Sequence, residues 1–180
     1  MPIIIRNATL SDAPAILEVT RKSFALYRSS ITAEVKLDAL TETLQDVEND
    51  IKNNHVLVAI KQESAHNAAC INTLEGSLRF ALLNPAVAYV YRIGVNPDTH
   101  NAGIGSEMLA KALKEIAALG GKCAALHTNS KYFKLARYYY GHEFYVHSTD
   151  NSRGYIRAFF VKDLTPGGID GVDLSEAMKK

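Results

Sequence analysis

The sequence has little of three things: net charge, cysteine and uninterrupted apolar residues. Twenty lysines and arginines against nineteen aspartates and glutamates leave a formal net charge of +1. That balance gives no reason to expect an electrostatic footprint for nucleic acid. No apolar run approaches the ~20 residues that a membrane-spanning helix needs. The opening "MPIIIRNATLSDAP" breaks its short apolar stretch too early for a secretory signal. The two cysteines, Cys70 and Cys123, are far apart and form no metal-binding spacing. Reduced, structural thiols fit a cytoplasmic protein. Internal repeats and low-complexity segments are also missing, and no metal is expected.

What remains is an ordinary globular composition. With 180 residues, 47% hydrophobic and 22% charged, the chain is long enough for one domain with a real core. "PIIIRNA" reads as a short edge strand. In "SDAPAILEVTRKSFALYR", Ser11 is placed as an N-cap with Pro14 in the first turn, and Ala13, Ile16, Leu17, Thr20 and Phe24 share a helical face. Leu37, Leu40, Leu44, Val47 and Ile51 recur at steps of three and four, which predicts one second amphipathic helix closed by asparagines. "HVLVAIK", "GSLRFALL" and "AVAYVYRIGV" read as strands, the last stopped at Asn96-Pro97. From Ile104 the pattern is helical, with Met108, Leu109, Ala112, Leu113 and Ile116 inward and Gly120-Gly121 as the stop. "KCAALHT" is a strand, "SKYFKLARYYY" a short helix, and "EFYVHST" with "GYIRAFFVKDL" a terminal hairpin. The order β-α-α-β-β-β-α-β-α-β-β predicts an α/β (α+β) fold: a mixed sheet of about seven strands flanked by about four helices. The domain is expected over residues 1–164, with residues 165–180 as a tail. The exposed hairpin edge offers a place for a second copy to pair, so a homodimer is one expectation.

The stretch "VNPDTHNAGIG" puts two glycines at the mouth of a helix. The first amides of a helix lack intrahelical acceptors and carry the positive end of its dipole. Glycines there let a ligand's oxygens approach the backbone, which suits phosphate. The dinucleotide fingerprint is excluded because no third glycine stands at Met108, and a P-loop because no Lys-Ser/Thr pair follows. A glycine-rich turn without a ligand is the plain alternative.

In its setting of strand, Val95-x-Pro97, loop, Gly103-x-Gly105, amphipathic helix, strand and tyrosine-bearing helix, the chain resembles the GNAT superfamily of acyl-CoA-dependent N-acyltransferases. The likeness covers roughly Pro2 to Leu164. The family's Gln/Arg-x-x-Gly-x-Gly/Ala signature reads here His100-Asn101-Ala102-Gly103-Ile104-Gly105, with His100 in place of Gln or Arg. The resemblance implies that the amides of Asn101, Ala102, Gly103, Ile104, Gly105 and Ser106 hold the pyrophosphate of coenzyme A. It implies equally that Ile93, Gly94 and Val95 pair with the pantetheine arm on a strand splayed from its parallel neighbour. One of those amides would polarise the thioester carbonyl.

The same resemblance places an acid near the departing sulfur, a tyrosine four residues after a small alanine. Ala136 and Tyr140 have that spacing. Counting back from Phe144 favours Tyr139 instead, with bulky Leu135 at the small position and Glu143 replacing a glycine. The family's asparagine, seven residues before the tyrosine, is replaced by Phe133. Asn129 is the substitute cofactor contact, with helix capping as its alternative. For the base, no carboxylate lies on "AYVYRIGV". Glu75, His127 and His147 are candidates, beside a water chain. Arg79 and Arg92 either meet an acidic substrate group or, as arginines on strands usually do, pair or solvate.

The implied function is an acetyltransferase that moves an acetyl group from acetyl-CoA to a primary amine by direct attack through a tetrahedral intermediate. A different acyl donor is the nearest variant. A GNAT-fold CoA-binding or regulatory module without turnover is the alternative in class, favoured by the departures at His100 and Phe133. A nucleotide-binding protein of another fold comes third.

Overall fold

The computed structural model describes residues 2–29, 36–64, 70–99 and 103–180. Seven strands appear in it: β1 (Ile3–Asn7), β2 (His55–Ser64), β3 (Cys70–Leu82), β4 (Val87–Val95), β5 (Cys123–Asn129), β6 (Tyr145–Asp150) and β7 (Arg157–Asp163). They form one mixed sheet in the order β1-β2-β3-β4-β5-β7-β6. The helices are α1 (Ala13–Ser29), α2 (Asp38–Thr41), α3 (Leu44–Asn53), α4 (Ile104–Ala118), α5 (Phe133–Gly141) and α6 (Ser175–Met178). None of the described helices is long and apolar enough to cross a membrane.

By density of contact the chain divides into two compact units. One comprises Met1–Arg28, Leu37–Phe80 and Arg92–Ala112; the other comprises Ser29–Lys36, Ala81–Tyr91 and Leu113–Lys180. In the first, β1 runs antiparallel to β2 and β2 antiparallel to β3. Ala13 and Ile16 of α1 and Val47 of α3 bury against Val56, Val58 and Ile60 of β2. The helical periods of the sequence and the alternation of β2 thus meet in one core. In the second unit β5 runs antiparallel to β7, and β7 antiparallel to β6. Val87, Cys123, Ala125, Phe159 and Val161 form its core, together with Leu174 and Ala177 from beyond Leu164. The segment after β7 is therefore packed: its glycines make turns, and its scattered apolar residues fill that core. Cys123 is a buried free thiol, and desolvation pushes its pKa up to about 11, which keeps it unreactive at neutral pH.

Two helix starts differ from the sequence expectation. Thr9, rather than Ser11, caps the first helical segment: its N–H and hydroxyl both donate to Asp12 Oδ2, at 2.7 and 2.9 Å. A single 3-10 turn over Leu10–Asp12 leads into α1. The expected single second helix is broken into α2 and α3. Thr43 and Asp46 form a capping box, with Thr43 N–H donating to Asp46 Oδ2 at 2.9 Å and Asp46 N–H to Thr43 Oγ1 at 3.3 Å. Glu42 just before it is extended (φ −59, ψ 140), and Leu44 turns outward at 40% exposure. At the other end of the glycine helix the expectation holds. Gly120 sits at φ +91, its N–H donating to Ala117 O, while Gly121 N–H reaches Ile116 O at 2.9 Å. That pair of bonds is the Schellman closure, and only the first of the two glycines needs the left-handed conformation.

Candidate active site

The loop after β4 is anchored before it reaches the glycines. Pro97–Thr99 make one 3-10 turn. Glu75, buried on β3, accepts from Asn96 Nδ2 at 2.9 Å and from Thr99 Oγ1 at 3.0 Å, both on Oε2. Its main-chain oxygen accepts from Asn96 N–H at 2.7 Å. The carboxylate considered as a base is thus committed to holding this turn. His100, Asn101 and Ala102 lie outside the described residues. Gly103 lies at φ +79, a conformation that side-chain-bearing residues avoid, and its carbonyl accepts from Glu107 N–H at 3.0 Å. That bond begins α4. Ile104 is buried and pins the first turn, while Gly105 and Ser106 are half-buried beside it.

On β4, Ile93 and Val95 are half-buried and Gly94 is buried. A Cβ on Gly94 would overlap Ser23 Oγ of α1, so glycine there lets helix and strand approach closely. Arg92 has φ +53, a left-handed residue inside a strand. The parallel register of β4 with β5 covers Val87 to Tyr89 against Cys123 to Ala125. β4 runs on to Val95 and β5 to Asn129 beyond those positions.

The two strand arginines are paired. Arg79, fully buried, donates from Nη1 and Nη2 to the two Glu42 oxygens at 2.7 and 2.8 Å, and from Nη1 to Asp50 Oδ2 at 2.7 Å. Arg92 Nε donates to Glu42 Oε1 at 3.2 Å, and Arg21 Nη2 to the Glu42 carbonyl at 2.9 Å. Burial opposes the charge on Arg79, but the two carboxylates more than offset it and hold its pKa above the ordinary value. Arg79 is engaged wholly within this cluster, and Arg92 joins it through Nε. Glu42 and Asp50 have no place in the sequence reading. The Thr-x-x-Asp capping box after Glu42 was the one signal that it leaves the helix.

On α5 the three tyrosines have different surroundings. Tyr139 is buried, edge-on to Phe144 at 5.8 Å and tilted against Phe160 at 5.6 Å. Tyr140 is 55% exposed, its ring edge resting on Phe160 at 5.4 Å. Phe133, where the family pattern has asparagine, is 70% exposed. Asn129 is buried, and its Oδ1 accepts from Lys131 N–H at 2.9 Å. That bond closes an Asx turn ahead of α5, whose N-cap is Tyr132.

Of the two histidines, His147 is exposed, with Nδ1 at 3.3 Å from Ser148 Oγ. His127 has a side chain only 5% exposed. Its Nδ1 lies 3.0 Å from Tyr89 Oη, its Nε2 3.6 Å from Asp150 Oδ2, and its ring 4.8 Å from Phe159. Among the described residues no three His, Cys, Asp or Glu side chains gather as a metal site.

The acetyltransferase (GNAT) family model matches residues 24–144, well over half of the chain. The chain belongs to the GNAT family of acetyltransferases. Solved structures with the same fold include PaiA N-acetyltransferase from Thermoplasma acidophilum in complex with coenzyme A, at 21% identity and a TM-score of 0.73, covering 91% of this chain and 99% of that one. The YncA protein of Salmonella typhimurium, solved with acetyl-CoA, is 15% identical at a TM-score of 0.68, covering 92% and 95%. An N-acetyltransferase from Staphylococcus aureus Mu50 is 17% identical at 0.66, covering 92% and 100%. No curated protein matches the chain in sequence at a significant level.

In this GNAT chain, burial and then the charge of Arg157 push the His127 pKa down to about 4, with Asp150 opposing them. The unfolded chain, with histidine near its ordinary 6.5, therefore binds the proton more tightly. Stability from this group is complete above about pH 6.5 and is lost as pH falls toward 4, by roughly 3 kcal/mol in total. His127→Gln should remove most of that slope. Urea midpoints taken between pH 7 and pH 4 check it, and equal slopes in both proteins would contradict it.

Proposed function

We propose that this GNAT-family chain transfers an acetyl group from acetyl-CoA to a primary amine, by direct attack on the thioester through a tetrahedral intermediate. The observation that carries the reading is Gly103, left-handed at the start of α4, opening a helix of 15 residues at the end of an anchored turn. The fit to a phosphate group is chemical. The amides from Gly103 to Ser106 open α4, where donors lack intrahelical acceptors and the dipole is positive, and glycine leaves room for close approach; those of Asn101 and Ala102, outside the described residues, would complete the cradle. Ile93, Gly94 and Val95, on β4 past its register with β5, would bond the pantetheine arm as a strand would, and one of their amides would face the carbonyl oxygen. Tyr140 would protonate the departing thiolate. Asn129, at the end of β5, would be the substitute cofactor contact in place of the family's asparagine. The catalytic domain would span residues 1–164. A CoA-holding module without turnover is the second reading, favoured by exposed Phe133 where the family pattern carries asparagine.

Incubation with acetyl-CoA and a panel of amines, following free thiol, tests the reading: amine-dependent thiol release is expected, and binding without release selects the second reading. Gly103→Val would force a β-branched residue into the left-handed region. Its acetyl-CoA affinity should fall tenfold or more, read as lost thermal stabilisation. A folded variant stabilised as well as the wild type would rule out the phosphate cradle.

A further inference from the structure

The proposed reaction needs a group that holds the acceptor, and the first unit carries an arginine beside the proposed thioester strand. Arg92 stands on β4 immediately before Ile93, at φ +53. That conformation is costly for a residue with a side chain, and inside a strand it re-aims the side chain out of the alternating pattern. Here the side chain meets Glu42, at the junction of α2 and α3, which accepts from Nε at 3.2 Å. Arg79 on the neighbouring strand β3 bonds the same carboxylate through both Nη atoms. From α1, Arg21 Nη2 donates to the Glu42 carbonyl at 2.9 Å. The turn of α1 that carries Arg21 lies against Gly94, where an added Cβ would overlap Ser23 Oγ and touch the Val19 carbonyl at 3.9 Å. All of these residues belong to the first unit. Helix, helix junction and strand therefore converge beside the backbone proposed to face the thioester.

The three guanidinium groups are not used alike. Arg79 is fully buried against Glu42 and Asp50. Arg92 is tied by Nε alone: among the described residues neither Nη has a hydrogen-bond partner, and neither is sealed from solvent. A guanidinium is planar, so a bond at Nε fixes its plane and leaves the two Nη groups as a fork that matches a carboxylate. Charge agrees with that geometry. Three arginines share two carboxylates, and among the described residues Arg21 bonds only a neutral carbonyl. Asp46, exposed at the start of α3, is occupied by Thr43; those bonds lower its pKa first, and the charges of Arg79 and Arg92 lower it further. The positive field thus reaches beyond the ion-pair cluster. We propose that Arg92 Nη1 and Nη2 bind a carboxylate of the acceptor, with Arg21 adding to the field, so that the substrate is an amino acid or another small amine bearing a carboxylate. The anchored carboxylate leaves the amine free to reach the thioester at Ile93 to Val95. Glu42 orients the arginine and touches no substrate. The inference rests on the acetyl-transfer reading.

Initial rates with acetyl-CoA test it on the common α-amino acids, β-alanine and γ-aminobutyrate, each beside its amide and compared per unprotonated amine. At least one acid should exceed its amide roughly tenfold or more in kcat/KM, because the amide cannot make the charged bidentate contact. Arg92→Gly deletes the guanidinium while keeping the left-handed backbone allowed, and should bring acid and amide to within about threefold of each other. Arg92→Lys, charged but without the fork, should keep an intermediate preference. An arginine that only supports the fold would lower both rates together in Arg92→Gly and leave the ratio unchanged, a result that would overturn the proposal. So would a wild-type protein in which every acid falls within about threefold of its amide. Calorimetry on the protein saturated with CoA gives a readout separate from turnover: the preferred acid should bind, and its amide roughly tenfold more weakly. Amides acetylated as fast as acids would leave acetyl transfer standing and sink the carboxylate site. Acids that bind the CoA complex through Arg92 yet are never acetylated would instead sink the acetyl-transfer reading and keep the carboxylate site.

Discussion

Glu42→Ala should cost the protein about 3–5 kcal/mol, the range for breaking a buried ion pair from one side. The Glu42 side chain is 5% exposed and answers two arginines: both Nη atoms of Arg79, and Nε of Arg92. Alanine would leave Arg79, which has no exposed side-chain surface, with Asp50 as its remaining carboxylate in the cluster. Two cations would then face one anion in a site that water reaches poorly. The same change should loosen Arg92, whose left-handed backbone is held in part by its side-chain bond to Glu42. Chemical denaturation at neutral pH measures the loss, and acetyl-CoA binding should weaken with it because Arg92 immediately precedes Ile93. A companion Glu42→Leu/Arg79→Met variant removes both charges together and should be less damaging than Glu42→Ala alone. A loss under about 1 kcal/mol for Glu42→Ala would mean that water screens the cluster as it does a surface pair.

The parts of this fold that were readable in the sequence are those written in local periods. Met108, Leu109, Ala112 and Ile116 mark a helix face, and all four are buried. Gly120 announces its end, and Asn96-Pro97 the end of β4. The capping boxes at Thr9 and Thr43 were also written locally, as Thr-x-x-Asp, but the apolar repeat across Leu40, Leu44 and Val47 suggested an unbroken helix. What a local reading misses is pairing over long sequence separation. Glu42 meets Arg79, and Tyr89 meets His127, through strand registers and a helix break that no short window contains. The candidate base Glu75 turned out to be a loop anchor for the same reason: its partners Asn96 and Thr99 are brought to it by sheet pairing. Three consecutive tyrosines likewise cannot be ranked by composition. In the fold Tyr139 is buried and Tyr140 exposed.

Tyr140→Phe is the second large effect expected. If Tyr140 protonates the departing thiolate, deleting its hydroxyl should lower kcat by about 10²–10⁴, the range for a positioned acid or base. The ring that remains would keep its edge contact with Phe160, so stability should change little. Binding of acetyl-CoA should also change little, because the phosphate contacts proposed above belong to backbone amides, and the loss would therefore fall on kcat more than on KM. Tyr139→Phe, made in parallel, has a different expected signature. Tyr139 is buried between Phe144 and Phe160, so its ring serves packing that phenylalanine preserves, and turnover should stay near that of the wild type. Reversed results would assign the acid to Tyr139 and shift the alignment of α5 by one residue, with Leu135 at the small position. Full activity in both variants would mean that the thiolate leaves without a tyrosine, protonated by solvent.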